Sequence, residues 1–199
     1  MTAAQRLLPP MAAAIAVGDE AGTGRAAGRA KRGGVRVEAI FEAALQMYLF
    51  AGYPRAITGL AAVEKACGAA KKPLTKGTPG GWKKRGIKLC RRIYAGSTDR
   101  MLANMRALHP ALAEWIVWEG YGKVLSRPGL TPAEREACAV AALAALRAWP
   151  QLESHARGAL RVGLPAAALR LAAGRSPQAQ RIVRLAERDI LANPKAGKS

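Results

Sequence analysis

From Val35 to Ala51 apolar residues recur at intervals of three and four: Ile40, Ala44, Met47 and Phe50 form one line, with Phe41, Leu45 and Tyr48 beside it. That spacing places them on one face of an α-helix. Gly52-Tyr53-Pro54 ends the pattern, because glycine weakens a helix and proline disfavours helical angles in the residue before it. Proline suits a first turn, so a second helix starts at Pro54 and runs to about Cys67. Gly68 to Gly81 is rich in Gly, Pro and Lys and reads as an exposed basic linker. Trp82 to Tyr94 is a basic amphipathic helix, and His109-Pro110 opens a segment whose Leu112, Trp115, Ile116 and Val124 can face a core. Ser126-Arg127-Pro128-Gly129 is a turn, and Thr131-Pro132-Ala133-Glu134 is a capping box with proline at the first helical position. The helix from there to Trp149 is nearly all alanine and leucine after Cys138, which predicts a central, buried position, with Pro150 breaking it. Further helices are expected at Gln151–Val162, ending at Gly163, at Pro165–Ala173 and at Pro177–Leu191. No strand pattern competes, so the expected fold class is all-α.

Composition narrows this picture. Half of the 199 residues are hydrophobic, which allows a sizeable core, and alanine dominates while only two residues are Phe. That favours close-packed helices. The expected organisation is a disordered N-terminus (1–10), one helical domain (11–192) and a basic tail (193–199). Within the domain, half-repeats 11–67 and 82–192 flank the linker 68–81. No run approaches the roughly 18 to 20 apolar residues that span a bilayer, so no membrane association is expected. Met11–Val17 is short, interrupted upstream by two prolines and followed by Asp19-Glu20, which speaks against a secretory signal. Cys67, Cys90 and Cys138 are odd in number and far apart, as in a reducing compartment, and a cytoplasmic location is expected. Two histidines and no Cys/His spacing give no reason to expect a metal or other cofactor.

The net charge of +19 is the most unusual bulk property. Between Glu64 and Asp99 ten cations, among them Lys71, Lys72, Lys83, Lys84, Arg91 and Arg92, meet no acid. Such a field attracts phosphates and acidic surfaces in a salt-dependent way. A solvated surface is the favoured explanation. Nucleic acid is a possible partner but not the favoured one, because aromatic residues hardly interleave with the basic ones.

Two stretches carry a family resemblance. Arg127-Pro128-Gly129-Leu130-Thr131-Pro132-Ala133-Glu134-Arg135-Glu136, an Ala/Leu helix, and then Leu152-Glu153-Ser154-His155-Ala156-Arg157-Gly158-Ala159-Leu160-Arg161-Val162-Gly163 resemble the core of carboxymuconolactone decarboxylases. That family reads "R-P-G-L-x-x-x-x-R-E-L", an alanine-rich helix, then "L-x-x-H-x-x-x-A-x-x-x-G". Glu38-Ala39-Ile40-Phe41-Glu42 followed by Tyr48-Leu49-Phe50-Ala51-Gly52-Tyr53-Pro54 resembles the family's "E-x-x-x-E" helix and "Y-A-G-x-P" turn. In the family the turn follows the histidine segment, whereas here it comes about a hundred residues earlier. An internal duplication accounts for this if Met11–Gly18 and Arg25–Gly34 overlay Leu143–Pro150 and His155–Gly163, so that Arg25 or Ala26 replaces the histidine. A circular permutation accounts for it as well, and the sequence leaves both open.

The resemblance implies an alkylhydroperoxidase-D-like helical bundle and a homo-oligomer, a trimer or hexamer. In the peroxidase branch a glutamate, a Cys-x-x-Cys pair and a histidine form a thiol site. Here the glutamate and histidine positions hold Glu136 and His155, but the cysteine positions hold Ala148 and Gln151. Without a thiolate no nucleophile is left to attack a peroxide. Cys138 is expected to be a small core residue. A carboxylate and an imidazole suffice for acid–base work, so the expected activity is a lyase of decarboxylase type acting on a small anionic metabolite. Glu136 and His155 are the expected catalytic pair, with Arg157, Arg161, Tyr48 and Tyr53 as expected substrate-binding residues. A hairpin turning at Pro150 would offset Glu136 and His155 by about eight residues, roughly 12 Å, so their meeting calls for a steep crossing or a subunit boundary. Peroxiredoxin-like activity by descent and a non-catalytic or nucleic-acid-associated scaffold are the alternatives. His109 is expected to be structural, and Trp115, Trp118 and Tyr121 to serve packing or an interface.

Overall fold

The computed structural model describes residues 1–69 and 79–192, and among these there are helices and no strand. The chain is all-α. Helices α1 (Ala3–Leu7), α2 (Pro9–Val17), α3 (Glu20–Arg32), α4 (Val37–Leu45) and α5 (Tyr48–Cys67) make the first half. Helices α6 (Pro79–Tyr94), α7 (Thr98–Leu108) and α8 (Pro110–Trp115) follow, and α8 runs into a ten-residue π-helix, Ile116–Leu125. Helices α9 (Pro132–Ala145), α10 (Trp149–Arg161), α11 (Ala166–Ala172) and α12 (Pro177–Ala192) complete the chain.

Several expectations hold at the level of single residues. Thr131 caps α9 with the reciprocal bond from Glu134, and Ala137 to Leu143 of that helix are all buried. Gly52 adopts φ +79° and splits α5, as the Gly-Tyr-Pro sequence requires. His109 caps α8, its Nδ1 accepting from the Ala111 amide at 3.2 Å, so this histidine is structural. Cys138 is a buried core residue.

Others are corrected. Residues 1–10 are ordered: Thr2 forms a capping box with Gln5, and Leu8 is fully buried against α2, α3 and α4 neighbours. Pro150 does not break the alanine-rich helix. The break falls at Leu146–Ala148, where Arg147 takes φ +56°, and Pro150 sits in the first turn of α10, where a missing amide costs nothing. The proposed linker 68–81 lies mostly outside the described residues, and its last three residues already belong to α6. The basic tail 193–199 lies outside them too.

The two ends of the chain repeat one another at a constant interval of 129 positions. Capping boxes begin at Thr2 and Thr131, helices of 13 residues span 20–32 and 149–161, and left-handed residues stand at 18 and 147 and at 34 and 163. The buried set recurs with them: Ala39, Ile40, Ala43 and Ala44 answer to Ala168, Leu169, Ala172 and Ala173. This register sets Ala26, not Arg25, against His155 and Leu7 against Glu136, and leaves 79–125 without a counterpart. The half-repeats therefore differ from the expected 11–67 and 82–192. Helix α2 packs on α9 at the centre, joining the two halves. Helix α6 and the π-helix form a third core, in which Gly86 and Gly122 allow backbone contact: a Cβ at either would collide with the carbonyl of Val117 or Trp82.

Candidate active site

Glu136 sits in the second turn of α9 and His155 in the second turn of α10. With the chain reversing at Arg147 rather than Pro150, they are 11 and 8 residues from the turn, a difference of about 4.5 Å along the axis. A modest crossing closes that gap within one chain. His155 Nδ1 lies 2.8 Å from Glu136 Oε2. Gly158 lets α10 pack closely on Ile93, whose side chain a Cβ there would meet at 2.5 Å.

The two partners differ in access. The Glu136 side chain is 2% exposed and that of His155 is 12% exposed. A carboxylate can only accept, so Nδ1 carries the proton and Nε2 is left without a hydrogen bond among the described residues. Burial alone would hold the imidazole pKa down, but the charge of Glu136 and its hydrogen bond outweigh burial and raise it above the usual value near 6.5. Phe50 meets the ring edge-on at 5.5 Å.

His155 lines a cavity of about 750 Å³, large enough for a small organic molecule. Its wall is mostly apolar and comes from three regions. Leu49 and Phe50 belong to the first half; Tyr94, Met101, Trp115, Glu119 and Tyr121 belong to 79–125; Ala148, Gln151 and Ser154 flank His155 on the last half. Ala148 and Gln151, at the positions where the peroxidase branch has its cysteines, thus face the same space as the histidine. None of the three cysteines lines it. Burial pushes the Cys90 and Cys138 thiols up to about 12.

Tyr94 and Tyr121 share one hydrogen bond, 2.8 Å between hydroxyls. Burial, against the bond from Tyr121, moves the Tyr94 phenol up to about 12, and the Glu136 charge adds to the rise. Burial raises Tyr121 as well. Both stay protonated, and since one proton serves the mutual bond, the other remains to donate to a bound oxygen.

The expected binding residues are placed differently. Tyr48 does not line the cavity; its hydroxyl donates to Glu119 Oε1 at 3.1 Å, and it positions that carboxylate at the wall. Burial first, then Glu119, raises its pKa well above the usual phenol value. Tyr53 stacks on Tyr48 at 4.9 Å and is 61% exposed, outside the cavity. Arg157 is held by Asp189 at 2.6 Å and Glu153 at 2.7 Å, and with Arg161 it lines an adjoining cleft instead. Sequence reasoning missed Tyr94 and Glu119 and took Tyr121 and Trp115 as packing or interface residues; Glu119 and Tyr121 lie on the π-helix, whose wider turn no 3.6-residue pattern reveals.

The resembling motifs also meet physically. Glu42 of the E-x-x-x-E helix accepts from Arg127 Nη2 at 2.8 Å and from Arg135 Nη2 at 2.9 Å. Arg135, nearly inaccessible, also donates to Gln46 Oε1 and to the carbonyls of Arg127 and Pro128. This network fixes the start of α9, and so Glu136, against the first half.

Among the described residues no helix is long and apolar enough to cross a membrane, and no cluster of three metal-ligating side chains occurs. No curated protein sequence matches the chain. Residues 110–187 match the carboxymuconolactone decarboxylase family, and the matched segment holds the Arg-Pro-Gly turn, Glu136 and His155. Over this segment, well under half of its length, the chain is similar to the carboxymuconolactone decarboxylase family.

Proposed function

We propose that the chain is an acid–base enzyme of the decarboxylase or lyase type, acting on a small anionic metabolite, with His155 as proton donor and Glu136 as its orienting base. The observation that carries this reading is the 2.8 Å pair in which Glu136 is sealed and His155 faces a cavity. In a decarboxylation, the bond from the carboxylate to its carbon breaks and releases CO2. The electron pair passes into the adjacent unsaturated system as an enolate, and the carbon takes a proton from Nε2 of the imidazolium. Glu136 stabilises the imidazolium before the transfer, solvent reprotonates the neutral imidazole afterwards, and a Tyr94 or Tyr121 hydroxyl can donate to the enolate oxygen. The apolar wall favours loss of the carboxylate charge, and no Lys or Arg lines it.

The test uses anionic lactones in deuterated water, reading CO2 release and deuterium at the product carbon. Wild-type protein incorporates deuterium, and His155→Gln loses at least a hundredfold in rate. Equal rates for both proteins sink the assignment. Peroxidase action by descent has no thiol on the cavity wall to begin it. A homo-oligomer, a trimer or hexamer, belongs to the same family-based reading and is checked by light scattering. If His155→Gln behaves as wild type, a scaffold, with nucleic acid as a partner for the +19 charge, becomes the better reading.

A further inference from the structure

Helix α10 carries two neighbouring stripes. Gln151, Ser154 and His155 face the cavity, whereas Ser154, Arg157 and Arg161, at i, i+3 and i+7, face an adjoining cleft of about 630 Å³. The two spaces share a wall of Tyr94, Met101, Met105 and Ser154. Within the cleft Arg157 already has both acids, Glu153 and Asp189. Arg161 has neither. Its Nη1 donates to the Ile93 carbonyl at 3.1 Å, and its Nε is buried with no partner among the described residues. A second cation, Arg100 on α7, opens on the same cleft and forms no ion pair among the described residues. A half-buried guanidinium beside another cation, with its buried Nε–H unpartnered, is favoured by an anion that completes it. Burial, followed by the charge of Arg157, lowers the Arg161 pKa, as expected for a cation short of a counter-charge.

The cavity beside it differs in character, mostly apolar and with no Lys or Arg on its wall. Six residues separate His155 from Arg161, roughly 9 Å along the helix at 1.5 Å per residue. That offset favours an anion with a body between its reacting end and its distal charge.

Building on the acid–base reading of Glu136 and His155, we propose that the cleft at Arg161 and Arg100 is a subsite for a distal anionic group of the substrate. The substrate class is an elongated organic anion, a carboxylate or a phosphate monoester, whose apolar body lies against Met101 and Met105. Its reacting end reaches His155. The half-buried methionines suit such a body, because unbranched thioether chains adapt to varied shapes.

The experiment is a titration of the full chain, labelled at its two histidines, with acetate, hexanoate, decanoate, decyl phosphate and inorganic phosphate. His109→Gln assigns the ring signals. Affinity is expected to rise with chain length, and decanoate, but neither acetate nor inorganic phosphate, should shift the His155 ring. Decyl phosphate outbinding decanoate would assign the head group as phosphate, and the reverse as carboxylate. Arg161→Met should weaken decanoate binding at least tenfold. Asp189→Asn, which removes an acid from the cleft wall and leaves Arg157 with Glu153 alone, should strengthen it. Unchanged affinity in Arg161→Met, or acetate binding as tightly as decanoate, overturns the subsite. If Arg161→Met fails to fold, Arg100→Met decides with Asp189→Asn: weaker and tighter binding support the subsite, and no change in either overturns it. The acid–base reading fails separately, through a His155 pKa at or below 6.5 in the ligand-free protein, whatever the affinities show.

Discussion

The first and last stretches, 2–48 and 131–177, share caps, a 13-residue helix and left-handed turns, yet they differ in the side chains that carry chemistry. The last stretch has Glu136 and His155, where the first has Leu7 and Ala26. The first has Glu42 and the aromatic turn Tyr48-Leu49-Phe50, where the last has Leu171 and Pro177-Gln178-Ala179. The cavity takes His155 from the last stretch, and Leu49 and Phe50 from just beyond the end of the first. The backbone pattern depends on alanine packing and turn conformations that many sequences satisfy, so it persists in duplicate. Chemistry depends on single side chains and is kept once. The site therefore exists only where α2 packs on α9 and the two stretches meet.

Breaking the junction gives the largest expected effect. Glu42 is buried and takes both Arg127 and Arg135, whereas its counterpart Leu171 is half exposed. Glu42→Leu leaves Arg135 as an unpaired buried charge and should cost about 3–5 kcal/mol in urea unfolding. Leu171→Ala should cost less than about 1 kcal/mol. Equal losses would mean that the two stretches bear on stability alike, and the asymmetry would be only apparent.

The next test asks whether the first stretch has room for a dyad. Ala26 is 2% exposed and packed in the core. Ala26→His should destabilise by about 1–3 kcal/mol through overpacking, measured by thermal unfolding. A neutral result would reveal a second latent site.

Much of this asymmetry could be read from the sequence, and some of it could not. Many helix positions and the capping box at Thr131 depend on local spacing and were legible, whereas Glu136 and His155 were picked out by the family resemblance, against a spacing that set them apart. The turn at Arg147 was not, because nothing in Leu-Arg-Ala signals a left-handed arginine, while Pro150 draws the eye to a break three residues later. That one displacement turned a reachable pair into an apparent 12 Å gap. The order of residues 1–10 was hidden for a similar reason: Thr2 and Gln5 form a cap that Pro9-Pro10 seems to forbid. Arg157 passed for an anion binder because its acid Asp189 lies 32 positions away. The cavity roof needs Tyr94 against Tyr121 and Tyr48 against Glu119, contacts over 27 and 71 positions that only the fold brings together.

Smaller in free energy, and better read as a titration, is the coupling within the dyad. Removing the Glu136 charge leaves burial as the dominant influence on His155. Glu136→Gln should therefore move its pKa from above the usual 6.5 to below it, followed by ring NMR. The linkage has a definite sign. A native pKa raised above the unfolded value stabilises the fold fully below pH about 6.5, and the contribution is lost as pH rises through the native value. Wild-type stability should fall across that window, and Glu136→Gln should not show the fall. A His155 pKa indifferent to the substitution would separate the two groups and leave the last stretch as inert as the first.

The smallest effect lies at the equivalent turns. Gly18 at φ +76° and Arg147 at φ +56° hold the same left-handed place, but only the first has the residue suited to it. A non-glycine residue there costs about 1–2 kcal/mol, while glycine adds about 0.4–1 kcal/mol of unfolded-state entropy. Arg147→Gly should thus gain up to about 1 kcal/mol, and Gly18→Ala should lose about 1–2 kcal/mol, since its Cβ would also displace the Arg55 guanidinium. Chemical denaturation of the two single variants and the double resolves these shifts. Opposite signs with an additive double mean that the turns are independent copies of one device. A loss in Arg147→Gly would show that the arginine side chain contributes more than its backbone costs, and that the turn which brings Glu136 to His155 is held by contacts the first stretch lacks.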